Sequence, residues 1–247
     1  TVYSESTIAL MAKMHKAISV IQFKLEGAMI DRHPEWHMEH RKLLDKMSAD
    51  FSEVRLAMGT YPMLDSSFPT IDPADPYRLT PEEENLINRL HRSFVICDKL
   101  RRHISLFFEH GCMYAVSNGN LMFHASVPLN EDGSFREVEV MGKKAKGKEL
   151  LHNIGMLLRA AIDRDCPADI HDYAVDYYWY LWCGPDSPLF DKAAMTTFER
   201  YFIADKETHH EQKGHYYELR DREDICDRIL DEFGVTGEHR HVINGHV

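Results

Sequence analysis

Cys-Met-Tyr-Ala-Val-Ser-Asn-Gly-Asn-Leu-Met-Phe-His, residues 112–124, decides the fold. Two mostly apolar runs, 112–117 and 120–124, flank Asn118-Gly119. That pair tolerates positive φ at both centres of a two-residue turn, so the stretch reads as a β-hairpin. Its second strand ends on His124, just before a loop. Downstream, Asp132-Gly133 marks another turn and 136–140 another strand. Residues 241–244 read as a last strand leading into Gly245-His246. The strand that ends on His124 thus has a counterpart about 120 residues away that is also followed by a histidine.

Helices surround these strands. Residues 8–25 carry Met11, Met14, Ile18, Ile21 and Leu25 at three- and four-residue spacing, with Gly27 as the expected stop. A shorter helix is expected over 35–46 behind Pro34, and a small hairpin over 54–63 around Gly59. Pro62, Pro69, Pro73, Pro76 and Pro81 make 62–81 an extended connector, because each disfavours helix in the residue before it. Thr80-Pro81-Glu82-Glu83-Glu84 is a strong helix start: a capping hydroxyl, a proline at the first position, and acids against the dipole. The stripe Leu86, Leu90, Phe94 is expected to bury one face. A further helix carries Leu100, Ile104, Phe107 and Phe108 up to Gly111. Helices are also expected over 149–163, the aromatic stretch 173–182, 196–204 and 221–233, the last closed by Gly234. The lysines in 142–148 read as a solvated turn.

Composition narrows the function. Of 247 residues, 29 are Lys or Arg and 40 are Asp or Glu, a net charge of −11. Such a chain lacks the cation field that drives phosphate-backbone binding, so no nucleic-acid partner is expected. No apolar run approaches the ~20 residues of a membrane span, and no membrane partner is expected. The five cysteines are scattered without Cys-x-x-Cys, which fits a reducing cytoplasm. No basic-apolar leader follows Thr1. The chain starts without Met and stops straight after Val242-Ile243-Asn244-Gly245-His246, so it is expected to be an internal-to-late piece of a longer protein.

Sixteen histidines direct attention to metals. Glu207-Thr-His-His-Glu211 is dense in donors, but neighbours along a chain point apart, and the run reads as solvated. Asp169-Ile-His-Asp172 has the same weakness. His124 and His246 differ because each follows a strand, where α/β enzymes place reactive groups. Gly245 is read as giving backbone room beside His246. The two imidazoles are expected side by side, at the mouth of an open cleft.

Five blocks carry a family resemblance: Met-His-Lys-Ala-Ile-Ser-Val-Ile-Gln-Phe-Lys-Leu-Glu (14–26), Asn-Gly-Asn-Leu-Met-Phe-His (118–124) with Val-Pro-Leu-Asn-Glu-Asp-Gly-Ser-Phe (127–135), Trp-Tyr-Leu-Trp-Cys-Gly-Pro-Asp-Ser-Pro-Leu-Phe (179–190), Met-Thr-Thr-Phe-Glu-Arg-Tyr-Phe-Ile (195–203) and Val-Ile-Asn-Gly-His-Val (242–247). They resemble the class III fructose-1,6-bisphosphatases of bacteria, which are similar to calcineurin-like metallophosphoesterases. The resemblance runs over essentially the whole chain. It implies an α+β fold: a helix-rich insertion with a small hairpin over 1–111, then over 112–247 the C-terminal half of a metallophosphoesterase-type β-sandwich flanked by helices. It implies two divalent ions, manganese foremost, held by five blocks. An Asp-x-His after an apolar strand, a Gly-Asp-x-x-Asp-Arg and a Gly-Asn-His are absent here. The lone His maps onto His124 and the Gly-His onto Gly245-His246, so His124 and His246 are the implied metal ligands and the chain carries no catalytic residue of its own. Two departures stand out. Ala125 replaces the glycine common after the lone His, and Asp191 stands where relatives are expected to have glycine.

The implied reaction is hydrolysis of fructose 1,6-bisphosphate to fructose 6-phosphate and phosphate, a gluconeogenic step, with this chain alone inactive. The implied partners are the sugar bisphosphate and either a second copy of the chain or a companion upstream fragment. Two other readings stay open: a non-catalytic helical interaction module within such an enzyme, and a sister metallophosphoesterase acting on another phosphate ester.

Overall fold

The computed structural model describes residues 3–163 and 165–246; Thr1, and Val247 of the block 242–247, lie outside them. It is a mixed α/β structure, 49% helix and 14% strand, whose strands form three small sheets. It divides into two compact units, 1–101 with 196–210, and 102–195 with 211–247.

The first unit is built on α1 (Glu5–Arg32), which Ser4 caps by accepting from the Thr7 N–H. The helix runs straight through Gly27, the expected stop. Gly27 is there for packing: a β-carbon on it would lie 2.0 Å from the Tyr77 ring. Only the second half of α1 is buried, while Met11 and Met14 are more than half exposed. The expected helix over 35–46 is instead three 3₁₀ turns, Pro34–Trp36, Glu39–Arg41 and Leu44–Lys46. His37, at φ 54°, breaks the α-helical path after the first. The hairpin is present as β1 (Glu53–Leu56) and β2 (Gly59–Pro62), with Glu53 opposite Pro62.

Thr80 and Glu83 form a reciprocal capping box at the start of α2 (Pro81–Val95). The Glu83 carboxylate also accepts from Lys24 Nζ at 2.7 Å, and Lys24 donates to the Thr70 carbonyl at 2.5 Å. The Lys24 side chain is wholly buried. The apolar stripe of α2 does not bury a face as expected. Leu86 and Leu90 are over a third exposed and Phe94 is 63% exposed, since no other described element covers them. Beyond it, α6 (Thr197–Phe202) supplies Phe198 and Phe202 to a core with Val20, Phe23, Val54 and Phe68. Its rings meet edge to face, Phe68–Phe202 at 5.2 Å and Phe23–Phe198 at 5.4 Å. Burying each phenyl contributes about 1.5–3 kcal/mol.

The second unit holds most of α3 (Asp98–His110) and a three-stranded sheet of β3 (Tyr114–Ser117), β4 (Asn120–Phe123) and β7 (His241–Asn244). Strands β3 and β4 are antiparallel across the expected turn, with Asn118 at φ 51° and Gly119 at φ 77°. Strand β7 joins β4 in parallel, Phe123 level with Asn244. One sheet face packs inward: Leu121 is fully buried, the Phe123 ring meets Tyr216 at 5.8 Å, and Tyr114 meets Phe233 at 4.8 Å. The other face carries Ala115, Met122 and Ile243, and Ile243 is 49% exposed.

A second hairpin joins β5 (Val138–Val140) to β6 (Lys143–Ala145) through Met141-Gly142, both at positive φ. The lysine cluster is thus partly strand, although its four lysines are exposed as expected. Four helices complete the unit: α4 (Gly147–Ala160), α5 (Ala168–Cys183), α7 (His215–Leu219) and α8 (Glu223–Glu232). The short α7 had no sequence signal, because five residues are too few to show helical periodicity.

Candidate functional site

The parallel pairing of β4 with β7 builds the site. With Phe123 level with Asn244, the chain past each strand emerges at the same sheet edge. His124 comes first after β4, and Gly245-His246 after β7. The Gly245 N–H donates to the His124 carbonyl at 2.9 Å, and Asn244 Nδ2 donates to the Ala125 carbonyl at 3.0 Å. Tyr216 steadies Asn244 by donating its hydroxyl to Oδ1 at 3.1 Å. The two imidazole rings lie 5.2 Å apart, centroid to centroid, tilted by 55°. The expected juxtaposition is therefore present, and neither ring is sealed in a core: His124 is exposed and His246 half-buried.

Gly245 plays a different part from the one expected. A β-carbon there would meet only the His124 carbonyl oxygen, at an ordinary 3.5 Å, so the site does not depend on its missing side chain. The left-handed residue is His246 itself, at φ 55°. Ala125 has no such requirement and is fully buried, so alanine fits there.

Both histidines open onto a cavity of about 800 Å³. Its walls are mainly apolar, from Phe107, Phe108, Leu158, Leu181, Trp182 and Phe190 among others, and Lys192 and Glu211 lie at the polar end with the histidines. Burial, then the neighbouring His124 and Lys192, holds the His246 imidazole below its usual pKa, and Glu211 opposes them. The ring is thereby biased toward the neutral form, the form that coordinates metals.

The donor-rich run 207–211 divides. Thr208 is buried, His209 sets its Nε2 against the Ile203 carbonyl at 2.9 Å, and His210 is exposed. Glu211 departs from the solvated reading. Its carboxylate accepts from Lys192 Nζ at 2.9 Å, with the two side chains only 14% and 21% exposed. Sequence reasoning missed Glu211 and Lys192 because they meet through a loop ladder with no local signature. Ala193 N–H donates to the Gln212 carbonyl at 2.9 Å, Gly214 N–H to the Asp191 carbonyl at 2.8 Å, and Lys192 bridges Lys213. Asp169, His171 and Asp172 sit near the start of α5, where His171 Nδ1 lies 3.2 Å from Asp172 Oδ1 and no described third donor joins them. Among the described residues, no three His, Cys, Asp or Glu side chains are grouped to hold a metal ion. No described helix is long and apolar enough to cross a membrane.

A small sheet backed by helices, with two imidazoles past the ends of parallel strands, makes this a mixed α/β protein. Within that class the chain belongs to the family described as Firmicute fructose-1,6-bisphosphatase, which it matches over residues 1–247. It is 55% identical over 245 residues to a protein of Bacteroides fragilis named fructose-1,6-bisphosphatase class 3, covering 99% of this chain and 37% of that protein. Proteins of the same name from Bacteroides thetaiotaomicron and Clostridium acetobutylicum are 53% and 51% identical, over 100% and 99% of this chain and 37% of their own length. The chain thus spans little more than a third of these relatives. No solved structure matches it.

Proposed function

We propose that this chain is part of a metal-dependent phosphatase that hydrolyses fructose 1,6-bisphosphate to fructose 6-phosphate and phosphate, a gluconeogenic enzyme of the cytoplasm. The observation that carries the reading is the pair His124 and His246, 5.2 Å apart at neighbouring strand ends. Two accessible imidazoles, one biased toward its neutral form, fit a borderline divalent ion such as manganese. A pair of ligands does not complete a site, so the remaining ligands belong to parts of the enzyme outside this chain. A bound divalent ion would supply Lewis-acid charge to phosphate oxygens and lower the pKa of water. The residues of this chain orient: the Gly245 N–H and Asn244 amide tie the two strand ends together, and the Tyr216 hydroxyl holds Asn244. The cavity's apolar walls exclude water and strengthen every charge at its polar end.

The same reading accounts for the partly exposed sheet face. We assign 112–247 to the C-terminal half of a metallophosphoesterase-type sandwich, whose other layer would cover Ala115, Met122 and Ile243. Residues 1–111 would then be a helix-rich insertion, and the exposed stripe on α2 favours an interaction role for it, with a second copy or a companion segment as partner.

Metal analysis beside rate measurement tests the proposal in the intact enzyme. His124→Ala and His246→Ala should each lower manganese occupancy and reduce turnover by at least about a hundredfold, in line with loss of a metal ligand. The 247-residue chain alone should show no manganese-dependent turnover. Full metal content and activity in both variants would overturn the assignment.

A further inference from the structure

Two cations that the metal reading does not use line the cavity, Arg159 and Lys192, and Arg159 already donates to the Gly155 and Gly111 carbonyls. Lys192 lines the cavity together with His124 and His246, and its side chain is only 21% exposed. An ammonium group has three N–H donors. One goes to the Glu211 carboxylate at 2.9 Å, and the Phe190 ring lies 5.4 Å from the nitrogen, a cation–π distance. Among the described residues the ammonium has no other hydrogen-bond acceptor, and the side chain lines the cavity. Glu211 and Phe190 hold the flexible butyl stem in place, so much of the cost of ordering it is already met in the free protein. The ladder between 191–193 and 212–214 fixes both residues' backbones.

From this arrangement we propose that Lys192 is an anion grip: its ammonium binds a phosphate oxygen of the substrate beside the imidazole pair, and Glu211 is its positioning residue. The inference rests on the phosphatase reading above and deepens it by naming the residue that holds the substrate anion. Two features favour a phosphate dianion as the occupant. The cation is half of a pair that a second oxyanion can share, and its apolar surroundings weaken competition from water.

Inorganic phosphate, titrated by calorimetry into the intact manganese-loaded enzyme, is the probe. Lys192→Met should weaken phosphate binding about 10- to 100-fold and raise KM for the bisphosphate similarly, with a smaller change in kcat and unchanged metal content. Lys192→Arg should restore most of the affinity, and raising salt should weaken the wild type more than Lys192→Met. Glu211→Gln should weaken phosphate several-fold. Lys213→Ala, on the same ladder but with its side chain outside the cavity, should bind phosphate as the wild type does.

Phosphate affinity in Lys192→Met within twofold of wild type overturns the grip. So does loss of metal in Lys192→Met, or failure of Lys192→Arg to recover affinity, since either makes Lys192 a support for the fold. The two readings fail separately. Normal hydrolysis with an unchanged KM in Lys192→Met keeps the phosphatase and removes the grip. An enzyme that binds phosphate through Lys192 but does not hydrolyse the bisphosphate keeps the grip and removes the phosphatase.

Discussion

Replacing Asp191 with Asn should stabilise the chain, by an amount that grows from about pH 4 and levels off above about pH 6. Asp191 is 5% exposed and left-handed at φ 48°. Its Oδ2 has no hydrogen-bond partner among the described residues. Burial pushes the carboxyl up to about 6, although the Ser126 hydroxyl beside it favours the charged form. In the unfolded chain an aspartate titrates near 3.9. A folded pKa raised above the unfolded one helps folding below the unfolded value, and that help is lost as pH rises through the folded value. A shift of about two units is worth about 3 kcal/mol, all of it counted against the native state near pH 8. Asparagine has nearly the same shape, tolerates a left-handed backbone and carries no charge. Asp191→Asn should therefore gain up to about 3 kcal/mol at pH 8, about half as much near pH 5, and almost nothing at pH 4. Urea unfolding followed by tryptophan fluorescence from pH 4 to 8, with wild type subtracted at each pH, isolates this group from the sixteen histidines. A difference that stays constant with pH, or a variant less stable at pH 8, would refute the reasoning.

Other perturbations follow from the same contacts. Gly27→Ala forces a methyl into the Tyr77 ring and should cost about 1–3 kcal/mol in urea unfolding, the opposite of alanine's usual effect in a helix. Lys24→Met leaves the Glu83 carboxylate buried without its cation and should cost about 3–5 kcal/mol, most of it recovered by adding Glu83→Gln. His209→Ala should lose about 1 kcal/mol by thermal melting through the Ile203 carbonyl, with the divalent-metal content of the intact enzyme untouched. His210→Ala should change neither.

The sequence by itself determined whatever is settled within a few residues of chain. Thr80-Pro81 with Glu83 starts α2 because hydroxyl, proline ring and carboxylate all act inside one helical turn. Asn118-Gly119 makes the β3–β4 hairpin because those residues accept positive φ, and Gly234 closes α8 at φ 73° for the same reason. His124 and His246 were legible as a pair because each ends an apolar strand. Tertiary structure decided what depends on which surfaces meet. Gly27 has a helix-ending sequence profile, yet its lack of a side chain is used by Tyr77, more than forty residues on. Leu86, Leu90 and Phe94 have the spacing of a buried stripe, but periodicity cannot say whether a partner covers it. Glu211 was indistinguishable from its neighbours in a solvated run until the 191–193 ladder set it against Lys192, because the direction of a side chain in a loop is fixed by distant backbone. The parallel register of β4 and β7 is the same kind of fact: hydrogen bonds between strands over a hundred residues apart put two histidines 5.2 Å from each other, and no local pattern contains that distance.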